Sequence, residues 1–425
     1  MSSAFSATLP APTPTLSLFP ECPEHSPNAR AAELAQLCEG PRGELNERSS
    51  ADCPPREQEQ ERPLPACNAT RSNATKLVGI ARLAASSPAA DSKRSSPQRP
   101  EYFVLPVRSI LNRCDSNRVP FEWTINPYRG CEFGCKYCYA RYTHEYMELD
   151  ATEFEKRIYV KQGAEAYLPQ EIARKYSYES EASGGMAPEH IAIGTATDPY
   201  QPAEREYGVT RACLEELVKR EGLSISITTK SNQILRDLDL LKRITEKSAL
   251  FVNMTVTTVR SRLARLLEPR APLPAARLAA VKQLREAGIS VGVFASPLLP
   301  GITDREGNLE AVAEAAQEAG AQWFTSGVLF LTPSSSKVFL PFLQEKFPRL
   351  VARYREWYTR NTYAPEEYRK KIAERVARLR LKHGFNVRPW DEMKRPVGQV
   401  KQLALELDSF AKDCGVPLVG VYSNG

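Results

Sequence analysis

From Trp123 to Leu329 the chain alternates short apolar runs with amphipathic stretches, and few folds accept that rhythm. The strand-like runs are Trp123–Asn126, Ile191–Thr195, Ser224–Thr229, Phe251–Thr257, Ser290–Ala295 and Gln322–Leu329. The segments between them read as helices: Glu204–Arg220, Gln233–Glu246, Pro274–Ala287 and Glu306–Ala319. In Pro274–Ala287, Leu278, Val281 and Leu284 recur at helical spacing. Pro274 suits the first turn, where its missing N–H costs nothing, and Gly288 is the expected stop. Six strands separated by helices predict βα units and a parallel sheet. Periodicity alone leaves a doubly wound sheet and a partial barrel both open. A further short strand, Arg157–Lys161, is expected ahead of the second long one.

The flanks differ from this core. Residues 1–100 hold 14 of the 33 prolines and 2 of the 36 aromatic residues. Such a segment buries too little apolar surface to offset the entropy of ordering it. It reads as a disordered tail with a short helix near Ala31–Cys38. Cys22, Cys38, Cys53 and Cys67 lack a close pair to nucleate a metal site, and chance spacing is the better reading. The core is placed at 101–335. Residues 336–425 are expected to form a helical extension capping the open side of the sheet, with helices at Lys337–Lys346, Arg349–Arg360, Pro365–Lys382 and Gln399–Lys412. Residues 349–382 carry 11 Lys or Arg against 4 Glu, with Tyr354, Trp357, Tyr358, Tyr363 and Tyr368 interleaved. Two readings stand for that segment: a nucleic-acid contact surface, and a solvated face whose aromatics pack inward.

The net charge of +6 is a mild excess. No apolar run approaches membrane-spanning length, no signal-like segment opens the chain, and the scattered cysteines fit a reducing compartment. A cytoplasmic protein with no membrane partner is therefore expected.

The chemistry concentrates in Ile125-Asn-Pro-Tyr-Arg-Gly-Cys131-Glu-Phe-Gly-Cys135-Lys-Tyr-Cys138-Tyr139. Cys131, Cys135 and Cys138 have the spacing C-x3-C-x2-C, close enough for three thiolates to hold one soft metal centre. Three ligands on a cubane iron–sulfur cluster leave one iron open for a cofactor. Gly130 and Gly134 give the loop freedom to wrap. The loop follows a strand's carboxyl end, where ligands in parallel α/β folds belong. The competing reading is structural zinc, with His144 completing a Cys3His set.

This motif resembles that of the radical S-adenosylmethionine (SAM) enzymes. The wider block Thr124–Glu145 is similar to the branch related to spore photoproduct lyase, as are Thr197-Asp-Pro-Tyr-Gln-Pro-Ala-Glu204, Thr228-Thr-Lys-Ser231, Leu267-Glu-Pro-Arg270 and Ser296-Pro-Leu-Leu-Pro-Gly301. The resemblance covers about residues 101–350. It implies a partial (β/α)6 barrel, a [4Fe–4S] cluster on Cys131, Cys135 and Cys138, and SAM on the open iron. An electron from an external one-electron donor then cleaves SAM to a 5′-deoxyadenosyl radical, which abstracts hydrogen from an unknown substrate, nucleic acid being one class to consider.

The resemblance further implies that Tyr137 contacts adenine. Lys230 is a candidate partner for the SAM carboxylate, within the motif that includes Ser231. Asp198 is a candidate acceptor for the SAM amino group, and Thr255 and Thr257 are candidates for the ribose. Each has a plain structural alternative. An ion pair between Glu268 and Arg270 is expected near the site, and His144 and Glu145 are expected to orient the loop. Spore photoproduct lyase uses a cysteine outside the cluster as a hydrogen donor. Here Cys213 lies inside a predicted helix and reads as a core residue, with Cys414 the other cysteine on that side. A non-catalytic iron–sulfur or zinc protein that binds nucleic acid or senses redox state is the alternative function. A Rossmann-type SAM methyltransferase is disfavoured, because no glycine-rich loop follows an early strand.

Overall fold

The computed structural model describes residues 79–90, 100–116, 119–174 and 189–385. The expected helices near Ala31–Cys38 and at Gln399–Lys412, the four spaced N-terminal cysteines and Cys414 lie outside the described residues. The strands are β1 (Glu101–Val104), β2 (Leu111–Arg113), β3 (Trp123–Ile125), β4 (Tyr128–Arg129), β5 (Arg157–Val160), β6 (His190–Ile193), β7 (Ser224–Thr229), β8 (Ala249–Thr255), β9 (Ser290–Phe294) and β10 (Phe324–Thr325).

The main sheet runs β10-β9-β8-β7-β6-β3-β2. Its six strands from β10 to β3 pair in parallel, and β2 closes the edge antiparallel to β3. This is the parallel βα array expected from the apolar rhythm. β1, β5 and β4 form a separate three-stranded sheet, so the Arg157–Lys161 strand does not join the main one.

Alternation along the strands separates two environments. Ile191, Ile193, Ile225, Ile227, Val252, Met254, Val291 and Val293 enter the main core with helix residues such as Leu214, Leu241, Leu284 and Leu309. The opposite positions form a polar floor. His190 contacts the Ser224 hydroxyl through Nδ1 at 2.7 Å and the Ser226 hydroxyl through Nε2 at 2.8 Å. The Trp323 indole N–H donates to Asn253 at 3.1 Å. A Cβ at Gly292 would sit 2.2 Å from that indole, so glycine lets the ring lie across β9.

Burial holds His190 neutral, with its pKa lowered to about 3. Between pH 6.5 and 3 the unfolded chain binds a proton that the folded chain excludes. The associated stability is fully present above pH 6.5 and falls by about 1.4 kcal/mol per pH unit as the solution is acidified. Urea unfolding of wild type and His190→Gln between pH 6.5 and 4.5 should show a shallower acid slope in the variant, by about one proton. Identical slopes would rule out this role for His190.

Several boundaries differ from expectation. The helix expected at Glu204–Arg220 is two helices, Glu204–Tyr207 and Val209–Leu217, because Gly208 takes a left-handed conformation with φ 65°. The helix at Gln233–Glu246 begins as a 3-10 turn, Asn232–Asp237, before Leu238–Lys247. The last strand shrinks to two residues, and the rest of the expected run continues only as an isolated parallel bridge between Leu298 and Val328, with Leu329 N–H donating to the Leu298 carbonyl at 2.9 Å. The expected tail boundary moves too. Helix Gly79–Ser86 buries Ala84 with Leu105, Met147 and Tyr159, and Ala89 bridges to Phe103.

On the C-terminal side, Pro333–Lys346 packs against the cysteine loop, and Val351–Tyr358 packs on that helix through Tyr354 and Phe339. Helix Glu366–Lys382 instead lies along Glu306–Glu318, tied by Lys382–Glu310 at 2.5 Å. It is not a cap. Tyr354 and Tyr358 are buried, with hydroxyls on the Pro300 and Leu329 carbonyls at 3.0 and 3.2 Å. They are therefore core residues rather than a stacking surface. Among the described residues no helix is long and apolar enough to cross a membrane.

Candidate active site

The cysteine loop leaves β4 through Gly130, whose φ is 85°. A Cβ there would lie 2.7 Å from the Arg157 carbonyl oxygen and 2.8 Å from that of Phe154, so glycine alone permits this close passage. The Gly130 carbonyl accepts from the Thr197 hydroxyl at 2.7 Å and the Gln201 amide at 3.1 Å. Cys131 N–H donates to Phe154 at 3.1 Å and Lys136 N–H to Leu267 at 2.9 Å. Arg141, fully buried, donates to the Cys135 carbonyl at 3.2 Å and to Glu155 at 2.5 Å. From far along the chain, the Ser335 hydroxyl donates to the Cys138 carbonyl at 2.9 Å. The loop is thus pinned by four separate segments.

Cys131 and Cys135 are buried, Cys138 is half-buried, and all three are free thiols. Burial pushes each thiol up, Cys135 to about 12, and outweighs the opposing pull of Lys230 on Cys135 and of Arg141 on Cys138. A cationic metal centre bound there would favour the thiolates further. Among the described residues no three His, Cys, Asp or Glu side chains converge tightly enough to hold a single metal ion. A cubane distributes three cysteines over three irons and leaves the fourth iron without a protein ligand. His144 is not placed as a fourth ligand. It is fully buried, its Nε2 donates to the Arg157 carbonyl at 3.0 Å, and its ring meets Phe154 edge-on. Burial lowers its pKa to about 4. Glu145 accepts from Ser334 at 2.5 Å and pairs with Lys337 at 2.8 Å, fastening the segment after the loop to helix Pro333–Lys346. Three unbridged thiols, with His144 turned to the Arg157 carbonyl, fit a cubane that leaves one iron open.

Beside the thiols is a buried polar knot. The Tyr137 hydroxyl donates to Glu268, and the Thr257 hydroxyl donates to the same carboxylate oxygen at 3.2 Å. Arg277 donates to the other oxygen and to the Thr255 carbonyl at 3.0 Å. Both members of the ion pair are essentially inaccessible. The expected Glu268–Arg270 pair is therefore corrected: the partner is Arg277, one turn into the next helix, while Arg270 is exposed. Burial alone would raise the Glu268 carboxyl, but Arg277 and Lys230 more than offset this and hold it below the usual range. The Thr255 and Thr257 side chains are buried beside this knot.

The Lys230 ammonium sits 5.9 Å from the Tyr137 ring centre, an attractive cation–π arrangement. Burial opposes its charge, yet Cys135 and Glu268 outweigh burial and raise its pKa. Asp198 accepts from the Thr229 hydroxyl at 2.7 Å, Lys230 N–H at 2.8 Å and Tyr200 N–H at 3.0 Å. Those bonds lock the loop after β6 onto the end of β7. Ser231 caps the turn Asn232–Asp237, accepting from Gln233 N–H at 3.2 Å.

Reading the sequence alone missed Arg277, Gln201, Asn126 and Ser335. Asn126 accepts from Ala196 N–H at 2.7 Å and donates to Thr195 at 3.0 Å, joining the ends of β3 and β6. A signal existed for Arg277, the lone charge between Ala275 and Val281. Cys213 is fully buried in the main core, where burial pushes its thiol up.

A family model described as the radical SAM superfamily matches residues 125–319, which span the cysteine loop and four of the six parallel strands, β6 to β9. An uncharacterised protein of Mycobacterium tuberculosis is 34% identical over 295 residues, covering 68% of this chain and 84% of its own length. The chain belongs to the radical SAM superfamily. An uncharacterised protein of Methanocaldococcus jannaschii is 30% identical over 227 residues, 53% of this chain and 77% of that protein. In fold, this radical SAM protein resembles a spore photoproduct lyase variant with bound AdoMet and dinucleoside spore photoproduct. The TM-score is 0.51 at 15% identity, covering 66% of this chain and 79% of the other. The cofactors of the superfamily are a [4Fe–4S] cluster and SAM, and members draw their electron from an external donor.

Proposed function

We propose that Cys131, Cys135 and Cys138 ligate the [4Fe–4S] cluster and that this chain is an enzyme using SAM for hydrogen abstraction. The observation that carries the reading is one loop with three buried, unbridged thiols set beside Lys230 and the Glu268–Arg277 knot. Together the bound groups supply a one-electron reductive cleavage of SAM to a 5′-deoxyadenosyl radical.

The protein's part is positioning and exclusion of water. Lys230 offers a cation to the SAM carboxylate. Asp198 is a positioning residue that fixes the Lys230 backbone, its oxygens already engaged by three donors of this chain. Glu268 and Arg277 orient Tyr137, whose ring is the candidate adenine contact. Thr255 and Thr257, buried beside this knot, would be the contacts for the ribose. Ser231 shapes the turn after β7.

Nucleic acid is the substrate class suggested by the dinucleoside photoproduct in the related structure. Photoproduct repair with Cys213 as hydrogen donor is not supported, because that thiol is sealed in the core.

The test is anaerobic. The protein is reconstituted with iron and sulfide, reduced with dithionite, given SAM and assayed for 5′-deoxyadenosine. Product formation with iron–sulfur absorption supports the reading. Absence of product from protein that carries bound zinc and no such absorption would refute it.

A further inference from the structure

Helix Ser261–Leu267 has two unlike faces. Leu263 and Leu267 are buried in the apolar cluster that includes Cys131, Phe133, Cys135 and Tyr137. Arg262, Arg265 and Leu266 face solvent, flanked by exposed Arg260 and Arg270. From Val256 to Leu284 the sole carboxylate is Glu268, which is buried against Arg277. Arg260, Arg262, Arg265, Arg270 and Lys282 are consequently exposed without a carboxylate partner among the described residues. Some surface cations are paired, as in Lys219–Glu216 at 2.6 Å and Lys247–Glu221 at 2.7 Å. Others, such as Lys242, Arg243, Arg355 and Arg378, are exposed on other helices without an ion pair among the described residues. What sets the ridge apart is that its helix buries Leu263 and Leu267 in the cluster holding Cys131 and Cys135.

We infer that this arginine ridge is the docking surface for an acidic one-electron carrier protein that reduces the cluster. The inference rests on the proposed function. One helix, roughly 10 Å across, separates the ridge from the thiols, so a carrier seated there is divided from the cluster by a single protein layer. In the transfer the carrier is oxidised by one electron and the cluster reduced by one, with no bond made or broken. A protein partner suits the patch better than a nucleic acid. No aromatic residue lies between Thr255 and Val293 to stack a base, whereas Leu266 at 41% and Leu273 at 38% exposure add apolar contact. Electron-transfer encounters are small and steered by charge, which a short basic ridge provides.

The test compares wild type with Arg260→Glu/Arg262→Glu, using dithionite or a reduced acidic [2Fe–2S] ferredoxin as reductant and 5′-deoxyadenosine as readout. Dithionite-driven rates should match. The ferredoxin-driven rate should fall at least ~10-fold in the variant at low ionic strength, with the gap narrowing as salt rises. Calorimetric titration with oxidised ferredoxin, which needs no turnover, should show the same salt-dependent loss of affinity. Arg260→Lys/Arg262→Lys should retain both properties. Equal ferredoxin-driven rates and affinities in wild type and the Glu variant would overturn the assignment. So would a Glu variant that keeps both and loses affinity only for single-stranded DNA. If dithionite yields no product from wild type, the radical reading fails, and the titration still decides the ridge.

Discussion

Cys135→Ala is expected to abolish both iron–sulfur absorption after reconstitution and 5′-deoxyadenosine formation. Two thiols cannot replace three around a cubane that already has one iron without a protein ligand. The substitution removes only the sulfur. The backbone bonds that pin the loop, including Arg141 to the Cys135 carbonyl and Lys136 N–H to Leu267, persist. The unloaded variant should therefore unfold close to the unloaded wild type. Cys213→Ala, which deletes a buried thiol in the main core, is the matched control and should keep cluster and product. Full iron content and full product in Cys135→Ala would exclude it as a ligand.

Arg277→Met is expected to be the most destabilising change near the site. It leaves the Glu268 carboxylate fully buried with only the Tyr137 and Thr257 hydroxyls for partners. Breaking a buried pair from one side costs about 3–5 kcal/mol. The double variant Glu268→Gln/Arg277→Met removes both charges and should recover much of that loss, because a neutral amide costs far less to bury than an unpaired carboxylate. Cluster loading should also drop in the single variant, since Tyr137 is held to Glu268 within the loop. Urea unfolding and iron content measure both effects. A single-variant cost below about 1 kcal/mol would show that the pair does not brace the loop.

The legible parts of this molecule were those written in local pattern. The six parallel strands announced themselves as apolar runs between helical stretches, and the three cysteines by spacing. What stayed hidden depended on contacts distant in sequence. Glu268 seemed destined for Arg270, two positions away, but the backbone turns before Arg277 swings back from the next helix. β1 and β4 are too short to carry a period, and nothing local told the expected strand Arg157–Lys161 to pair with them rather than with the main sheet, so the three-stranded sheet was invisible. Gly208 divided a helix whose apolar pattern runs on across it. Helix Gly79–Ser86 looked like tail because its neighbours in sequence are proline-rich, yet its apolar side finds Leu105 and Tyr159.

The Ser335–Cys138 hydrogen bond spans 197 positions. On a ribosome adding about 5–20 residues per second, roughly 10–40 s separate the emergence of the thiols from that of the helix that fastens their loop. For that interval the cysteines are exposed on a nascent chain whose sheet is still incomplete. Iron and sulfide delivered then meet an open loop, whereas delivery after release meets one already fastened to a C-terminal helix. The fastening of this loop is thus set by where Ser335 lies along the message.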